Sequence, residues 1–477
     1  MRARSLACLG FFFTAGAFVV VDTSCSSSNN TTTTTTPDAG GTTWVIGVSN
    51  SLTGGLQGIG QPLHNAWTVA QTYVNANGGI LGKNLEFVEI DDASDENTAS
   101  DDGGFISGVA QQLLNRGVAA VIGPNGSSQV GTVDQLFYNA KVIELTATAT
   151  STTLSTAQPA GDRYLFRTVP ADDLQGAAVA RLAELGPSGI SPSDAGAANT
   201  EDAGDGGGSG SGGLPGCQKM ALFYYTNAYG APMATVIKSK FAPSGGATSI
   251  VADVQTDTAV HTDYSTEIKT ITDAHPDCLA MVLYDDVGDA FLRQLTQTVN
   301  PLPFWIMGTD GVYTQSFIDN GRTNPADKTS PTVVEGVYGT NPDTNPTDNP
   351  DYQFFKNLYT ASYPLPAGQD VPAYASNEFD AAILIALAIQ KAGGVSDHVK
   401  LRDSLLAISN GKGRVHGAGQ LTQAIEDIQN NFEIDYSGAS GFSTLDPNSG
   451  GVTAGYIIWH VENGQFVTLK HLKPTEL

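Results

Sequence analysis

Basic residues are scarce in this sequence. Its 477 residues carry 23 Lys and Arg against 48 Asp and Glu, a formal net charge of −25. Nucleic-acid binding draws most of its affinity from cations on phosphate, so this balance argues against such a partner. Long apolar runs are also nearly missing. Only one exists, at the amino terminus, which excludes a polytopic membrane protein. The seven histidines are scattered, with no two within five positions, and neither CxxC nor HExxH occurs. The acidic stretch Asp91-Asp92-Ala93-Ser94-Asp95-Glu96 lacks the alternate spacing and central glycine of a calcium loop and reads as a solvated loop. Gly-x-Ser-x-Gly and Gly-Lys-Ser/Thr are absent too, leaving only a triad assembled in three dimensions as an enzymatic option. No cofactor or metal is implied.

What is present is enough for packed cores: 40% hydrophobic residues, with 54 glycines and 23 prolines to spare for turns. The amino terminus has Arg2 and Arg4, then sixteen mostly apolar residues from Leu6 to Val21, then Asp22-Thr23-Ser24-Cys25. A basic start, a short apolar stretch and small residues predict an export signal over 1–24 rather than a short anchor helix. Cys25 opens a Ser/Thr-rich tether over 25–43, and the junction resembles that of bacterial lipoproteins, with Cys25 the lipid-bearing residue. Asp22 departs from that pattern, which wants an aliphatic residue three before the cysteine. The remaining cysteines, Cys217 and Cys278, each precede a similar apolar strand. They would face each other if those strands are parallel neighbours, giving either a disulfide in an oxidising compartment or two buried thiols.

From Trp44 onward, apolar strands alternate with helical stripes. Trp44 to Val48, Leu85 to Ile90, Ala119 to Ile122 and Val142 to Leu145 read as strands. Leu63, Ala66, Trp67, Ala70 and Val74 recur at helical spacing, as do Phe105, Ile106, Val109 and Leu113. The rhythm restarts with strands at Met220, Leu279 and Pro303, so an α/β fold of two lobes with parallel sheets is predicted. The expected division places 44–168 and 338–438 in lobe 1, and 169–337 and 439–477 in lobe 2. Between them, 186–216 is an insert with eleven glycines in 31 residues and several acids, predicted to be disordered. Gly455 to Trp459 and Gln465 to Leu469 read as a closing hairpin, and Arg414 to Asn431 as a surface addition.

Polar residues recur just past strand carboxyl ends, the edge where open α/β sheets bind ligands. Asn125-Gly126-Ser127-Ser128 opens a helix after Ile122, and Thr146 to Thr150 follows Leu145. Tyr229 follows the Met220 strand, Asp285 and Asp286 the Leu279 strand, and Asp310 the strand ending in Met307-Gly308. Hydroxyls and N–H groups from one lobe, with a carboxylate from the other, suit a zwitterion such as an α-amino acid.

Five stretches carry a resemblance: Ile46 to Gly54, Asn77 to Lys83, Asp91 to Asp95, Val121 to Pro124 and Phe166 to Pro170. Together they resemble type 1 periplasmic binding proteins of the leucine/isoleucine/valine-binding family. The resemblance implies two Rossmann-like lobes joined by three crossover segments, near Arg167 to Ala171, Val333 to Gly339 and Ser437 to Phe442. It assigns the carboxylate grip to Ser127 and to the loop Thr148, Ala149 and Thr150. It assigns the second-lobe tyrosine to Tyr229 and the ammonium-holding acid to Asp310. Ile59 replaces the first-loop aromatic, and the second aromatic site falls near Asp286 or Val287, so the side-chain pocket differs. The expected protein is therefore a monomeric, lipid-anchored, extracytoplasmic solute-binding protein and not an enzyme. It would deliver an amino acid or related small polar solute to an ABC permease of the inner membrane. A ligand-sensing receptor subunit on the same fold is the alternative.

Overall fold

The computed structural model describes residues 42–94, 104–190, 214–242, 250–346, 348–366, 368–441 and 444–477. The expected export signal, Cys25 and its lipid, nearly all of the tether, and 191–213 of the glycine-rich insert lie outside the described residues.

Strand and helix alternate from the first described residues. β1 (Thr43–Asn50), α1 (Gln57–Ala76), β2 (Asn84–Asp91), α2 (Gly104–Asn115), β3 (Ala120–Ile122), α3 (Ser127–Ala140), β4 (Ile143–Thr146) and β5 (Leu165–Arg167) come first. Their strands form one wholly parallel sheet, ordered β2-β1-β3-β4-β5. A parallel sheet is covered on both faces, which is why β3 and β4 are buried at every residue. Ile106, Val109, Leu113, Val133 and Phe137 of α2 and α3 cover one face. Ala66, Trp67, Ala70 and Val74 of α1 belong to the core on the other.

The chain then passes through α4 (Asp172–Leu185), β6 (Met220–Tyr225), α5 (Gly230–Lys240), β7 (Ile250–Thr256), α6 (Ser265–Asp273), β8 (Cys278–Val282), α7 (Asp285–Thr298), β9 (Trp305–Gly308), α8 (Gln315–Asn320) and β10 (Tyr338–Pro342). It returns to the first lobe as α9 (Pro350–Ser362), α10 (Ala375–Ala392), α11 (His398–Ala407), β11 (Arg414–Gly417), α12 (Leu421–Gln429) and β12 (Ile434–Ser437). It finishes in the second lobe with the antiparallel hairpin β13 (Tyr456–Glu462) and β14 (Gln465–Leu472). The second sheet runs β14-β13-β10-β9-β8-β6-β7, parallel from β7 through β10.

Two crossings fall later than the sequence suggests. β10 pairs with β9 and β13, so 338–342 belongs to the second sheet and the chain leaves it after Pro342, not over Val333 to Gly339. The third crossing lies at about Val452 to Tyr456 rather than Ser437 to Phe442. The Asp380 carboxylate accepts from the backbone N–H of Ala439 and Ser440 at 2.8 Å each, and Leu445 and Val452 are buried in the first core. The first crossing, after Arg167, runs beside the third through a Pro170–Val452 bridge. Arg414 to Asn431 is not a surface addition. Its strand β11 pairs in parallel with β12, and Leu421, Ala424 and Ile428 of α12 pack into the first core. The apolar spacing of α12 needs such a partner.

Cys217 and Cys278 form a disulfide at the amino ends of the neighbouring parallel strands β6 and β8, with Cα atoms 5.7 Å apart. This edge lies opposite the carboxyl ends that face the first lobe. No helix among the described residues is long and apolar enough to cross a membrane.

Candidate functional site

Between the lobes, the carboxyl ends of both sheets enclose a cavity with about 450 Å³ of atom-free space. On the first lobe the turn after β3 sets its shape. Gly123 has φ +88°, and a Cβ there would collide with the Ser49 carbonyl oxygen, so only glycine fits. Asn125 is held by donating Nδ2 to Asn50 Oδ1 at 2.8 Å, and its carbonyl accepts from Thr148 Oγ1 at 2.8 Å. Gly126 is the N-cap of α3, and the Gln129 side chain closes back on its N–H at 2.8 Å. Ser127 is therefore the first helical residue and not the cap. The N–H groups of that first turn have no helical partner and carry the positive end of the helix dipole. Ser127 Oγ accepts from the Ser151 N–H at 3.2 Å, which ties the turn after β3 to the threonine loop after β4.

On the second lobe Asp310 follows β9 and is 6% exposed. Tyr229 donates to its Oδ1 and Tyr374 to its Oδ2, both at 2.7 Å. Tyr229 is fixed in turn by Thr309 Oγ1 at 2.8 Å and by the Gly311 N–H at 3.2 Å, and its ring stacks on Tyr284 with centroids 5.4 Å apart. Tyr374 sits at the amino end of α10 in the first lobe, with φ +67°, so its bond to Asp310 spans the cleft. The Ala228 N–H donates to Ser128 Oγ across the cleft at 3.2 Å. The lobes are thus in contact around the cavity.

Burial dominates the electrostatics. It pushes the Asp310 carboxyl up, and the bonds from Tyr229 and Tyr374 pull it partly back. Asp172, at the first crossing, is raised well above the carboxylate range by burial and by the nearby Asp310 charge. Burial lowers the Arg167 guanidinium to about 10. Arg167 donates to the carbonyls of Thr150 and Ser151 at 3.1 and 2.9 Å, so its charge supports the threonine loop from behind. No cluster of acids, histidines or cysteines among the described residues could hold a metal ion.

Of the residues expected at the site, Ile59, Ser127, Thr148, Thr150, Tyr229 and Asp310 line the cavity together. Ala149 and Asp286 do not. Ala149 is turned into the loop, where its N–H donates to Thr146 Oγ1 at 3.2 Å. Asp286 lies outside, accepting from the Val287 N–H at 2.7 Å, and burial raises its carboxyl to about 6. The position expected near Asp286 is filled by Tyr284. Tyr284 and Tyr374 escaped sequence reasoning. The first closes an apolar strand run that reads as core, and the second lies far along the chain, between Pro372 and a helix.

A cleft of this kind, between two α/β lobes joined by three crossings, is the architecture of a solute-binding protein. The Periplasmic binding protein family matches residues 43–424, and the chain belongs to that family. A leucine-, isoleucine-, valine-, threonine-, and alanine-binding protein from Pseudomonas aeruginosa is 28% identical over 131 residues. That match covers 28% of this chain and 32% of the relative, about a third of its length. Among solved structures, a leucine-binding protein from Thermotoga maritima has a TM-score of 0.68 at 20% identity, covering 91% of this chain and 99% of its own. A branched-chain amino acid substrate-binding protein from Streptococcus pneumoniae, solved with isoleucine, has 0.67 at 18%, covering 91% and 100%. A solute-binding protein from Rhodopseudomonas palustris, solved with 3,4-dihydroxybenzoic acid, has 0.64 at 18%, covering 91% and 98%. The fold is that of these solved binding proteins, and membership of the periplasmic binding protein family implies a location outside the cytoplasm.

Proposed function

We propose that this protein captures an amino acid or related small polar solute by closure of its two lobes, and delivers it to an ABC importer of the inner membrane. The observation that carries this reading is the division of chemistry across the cavity. Hydroxyls of Ser127, Thr148 and Thr150, with the first-turn N–H groups of α3, form an anion-accepting wall on one lobe. The Asp310 carboxylate faces it from the other. A zwitterion satisfies both at once, and a ligand touching both lobes favours the closed state by its differential affinity. The amino acids bound by several relatives have this chemistry. Removal of 1–24 and lipidation of Cys25 would hold the mature protein at a membrane surface through the tether. Ile59, Tyr284 and Tyr374 line the same cavity, so its lining differs from one built on a first-loop aromatic.

The test is calorimetric titration of the purified protein with zwitterionic amino acids and with hydroxybenzoates. Binding of amino acids, weakened about tenfold or more by Ser127→Ala, is the expected result. Binding restricted to hydroxybenzoates would refute the amino-acid reading, since such ligands leave Asp310 without a cation.

A further inference from the structure

The cleft holds a second acid that the grip on an amino acid's backbone does not use. Asp285, the first residue of α7, lines the cavity together with Asp310 and is 4% exposed. Its Oδ2 accepts from Thr314 Oγ1 at 2.9 Å and from the Ser316 hydroxyl. Gly58 of α1 closes over the same oxygen, since a Cβ there would lie 2.6 Å from it. Asp285 is thus built into the wall, held by hydroxyls of its own lobe and covered by the backbone of the other.

What these two carboxylates lack is a cation. Asp310 is bonded by two tyrosine hydroxyls, and Asp285 by the Thr314 and Ser316 hydroxyls and by the backbone N–H groups of Asp285 and Asp286. The bonds to Asp285 favour its ionised form and work against burial, which pushes the carboxyl up. No Lys, Arg or His lines the cavity. The wall at Ser127, Thr148 and Thr150 suits one ligand carboxylate and Asp310 one ammonium, which leaves the charge of Asp285 without a counterpart. An aliphatic ligand side chain would strip water from Asp285 and return nothing, a cost that a second ammonium removes. Tyr229 and Tyr284, stacked with centroids 5.4 Å apart, also line the cavity. Tyr229 bonds to Asp310 and Tyr284 precedes Asp285, so aromatic surface accompanies both acids and can carry the methylenes between two amines.

We infer that Asp285 is a specificity-determining residue, and that the solute is an α-amino acid whose side chain carries a second amine. The inference rests on the amino-acid reading of the cleft: the α-carboxylate meets the first turn of α3, the α-ammonium meets Asp310, and the second ammonium meets Asp285.

The experiment titrates the full chain at pH 7 with straight-chain α-amino acids of three lengths, each with and without a terminal amine. The pairs are 2,4-diaminobutanoate and 2-aminobutanoate, ornithine and norvaline, and lysine and norleucine. In at least one pair the diamino acid is expected to bind about tenfold or more tightly than its partner. Asp285→Asn should erase that difference by weakening the diamino acid alone, whereas Asp310→Asn should weaken both members of the pair alike. The wild-type comparison decides the matter even if Asp285→Asn folds poorly. Monoamino acids bound as tightly as the diamino acids at every length would overturn the role of Asp285 and leave the amino-acid reading standing. So would a preference that survives Asp285→Asn. Binding of neither member at any length would overturn the inference, and hydroxybenzoate binding in its place would overturn the amino-acid reading with it.

Discussion

Replacing Asp310 by Asn isolates the charge in the cleft from its architecture. Both carboxylate oxygens accept a tyrosine hydroxyl at 2.7 Å, one from each lobe. Asp310→Ala would orphan two buried hydroxyls at about 1–3 kcal/mol each, and a loss of binding could then reflect a collapsed cleft. The amide of Asp310→Asn accepts from one tyrosine and donates to the other, so the cleft keeps its shape and loses only the negative charge. A hydrogen bond to a charged group contributes about 1.5–3 kcal/mol, roughly 10- to 150-fold in affinity. The assay is paired titration at pH 7 with an amino acid and with the same molecule lacking its amino group. Asp310→Asn should weaken the amino acid by that factor and spare the simple carboxylate. Burial raises the Asp310 carboxyl, so wild-type binding of the zwitterion should fall as the pH drops through that value, whereas the variant stays flat. An equal loss for both ligands, or no loss for either, would refute the assignment of Asp310 as the ammonium partner.

Asp289, 5% exposed on α7 with neither oxygen hydrogen-bonded, has its carboxyl raised to about 9 by burial and by Asp285. Its folded value exceeds the unfolded one, so it favours folding below about pH 4 and opposes it increasingly as the pH rises towards 9. Thermal melts of Asp289→Asn should show a gain of at least about 1 kcal/mol at pH 8 and none at pH 4. Reduction of Cys217–Cys278, or its replacement by Ser at both positions, releases a loop spanning 61 positions. On the chain-entropy model this costs about 4 kcal/mol, read as a lower melting temperature with ligand affinity unchanged. Gly58→Ala places a methyl 2.6 Å from Asp285 Oδ2, which should hinder closure and weaken ligand about tenfold while leaving the unliganded melting temperature in place.

The parts of the fold legible in sequence are those whose cause is local. Buried parallel strands such as Ala120–Ile122 are uninterrupted apolar runs, and the α1 stripe has helical spacing, so both can be read without knowing their partners. The crossings were less legible, because what assigns 338–342 to the second lobe is pairing with β9 and β13, the latter more than a hundred residues away. The same holds for α12, whose apolar face looks like a surface stripe until α10 covers it. In the cleft, Ser127 and Asp310 stand at strand ends, where the chain itself announces an edge. Tyr374 reaches Asp310 only because α10 crosses back from a segment 64 positions on. Ala149 does not line the cavity, and its N–H donates to Thr146 Oγ1, a contact that spacing alone does not reveal.

The cleft lies between two hydrophobic cores that hardly share a side chain, one around β1 to β5 and one around β6 to β10. Most groups that meet the cavity hang from loops or helix starts at the tips of strands, although Leu56, Tyr229 and Tyr284 also belong to the second-lobe core. Selectivity can therefore drift by single replacements at loop positions of the lining, such as Thr148, while the lobes, and the stability they store, are inherited intact. One scaffold can in this way be retuned from one nutrient to another over few mutational steps. The replacement least open to such drift is Gly123, where backbone geometry rather than ligand preference fixes the residue.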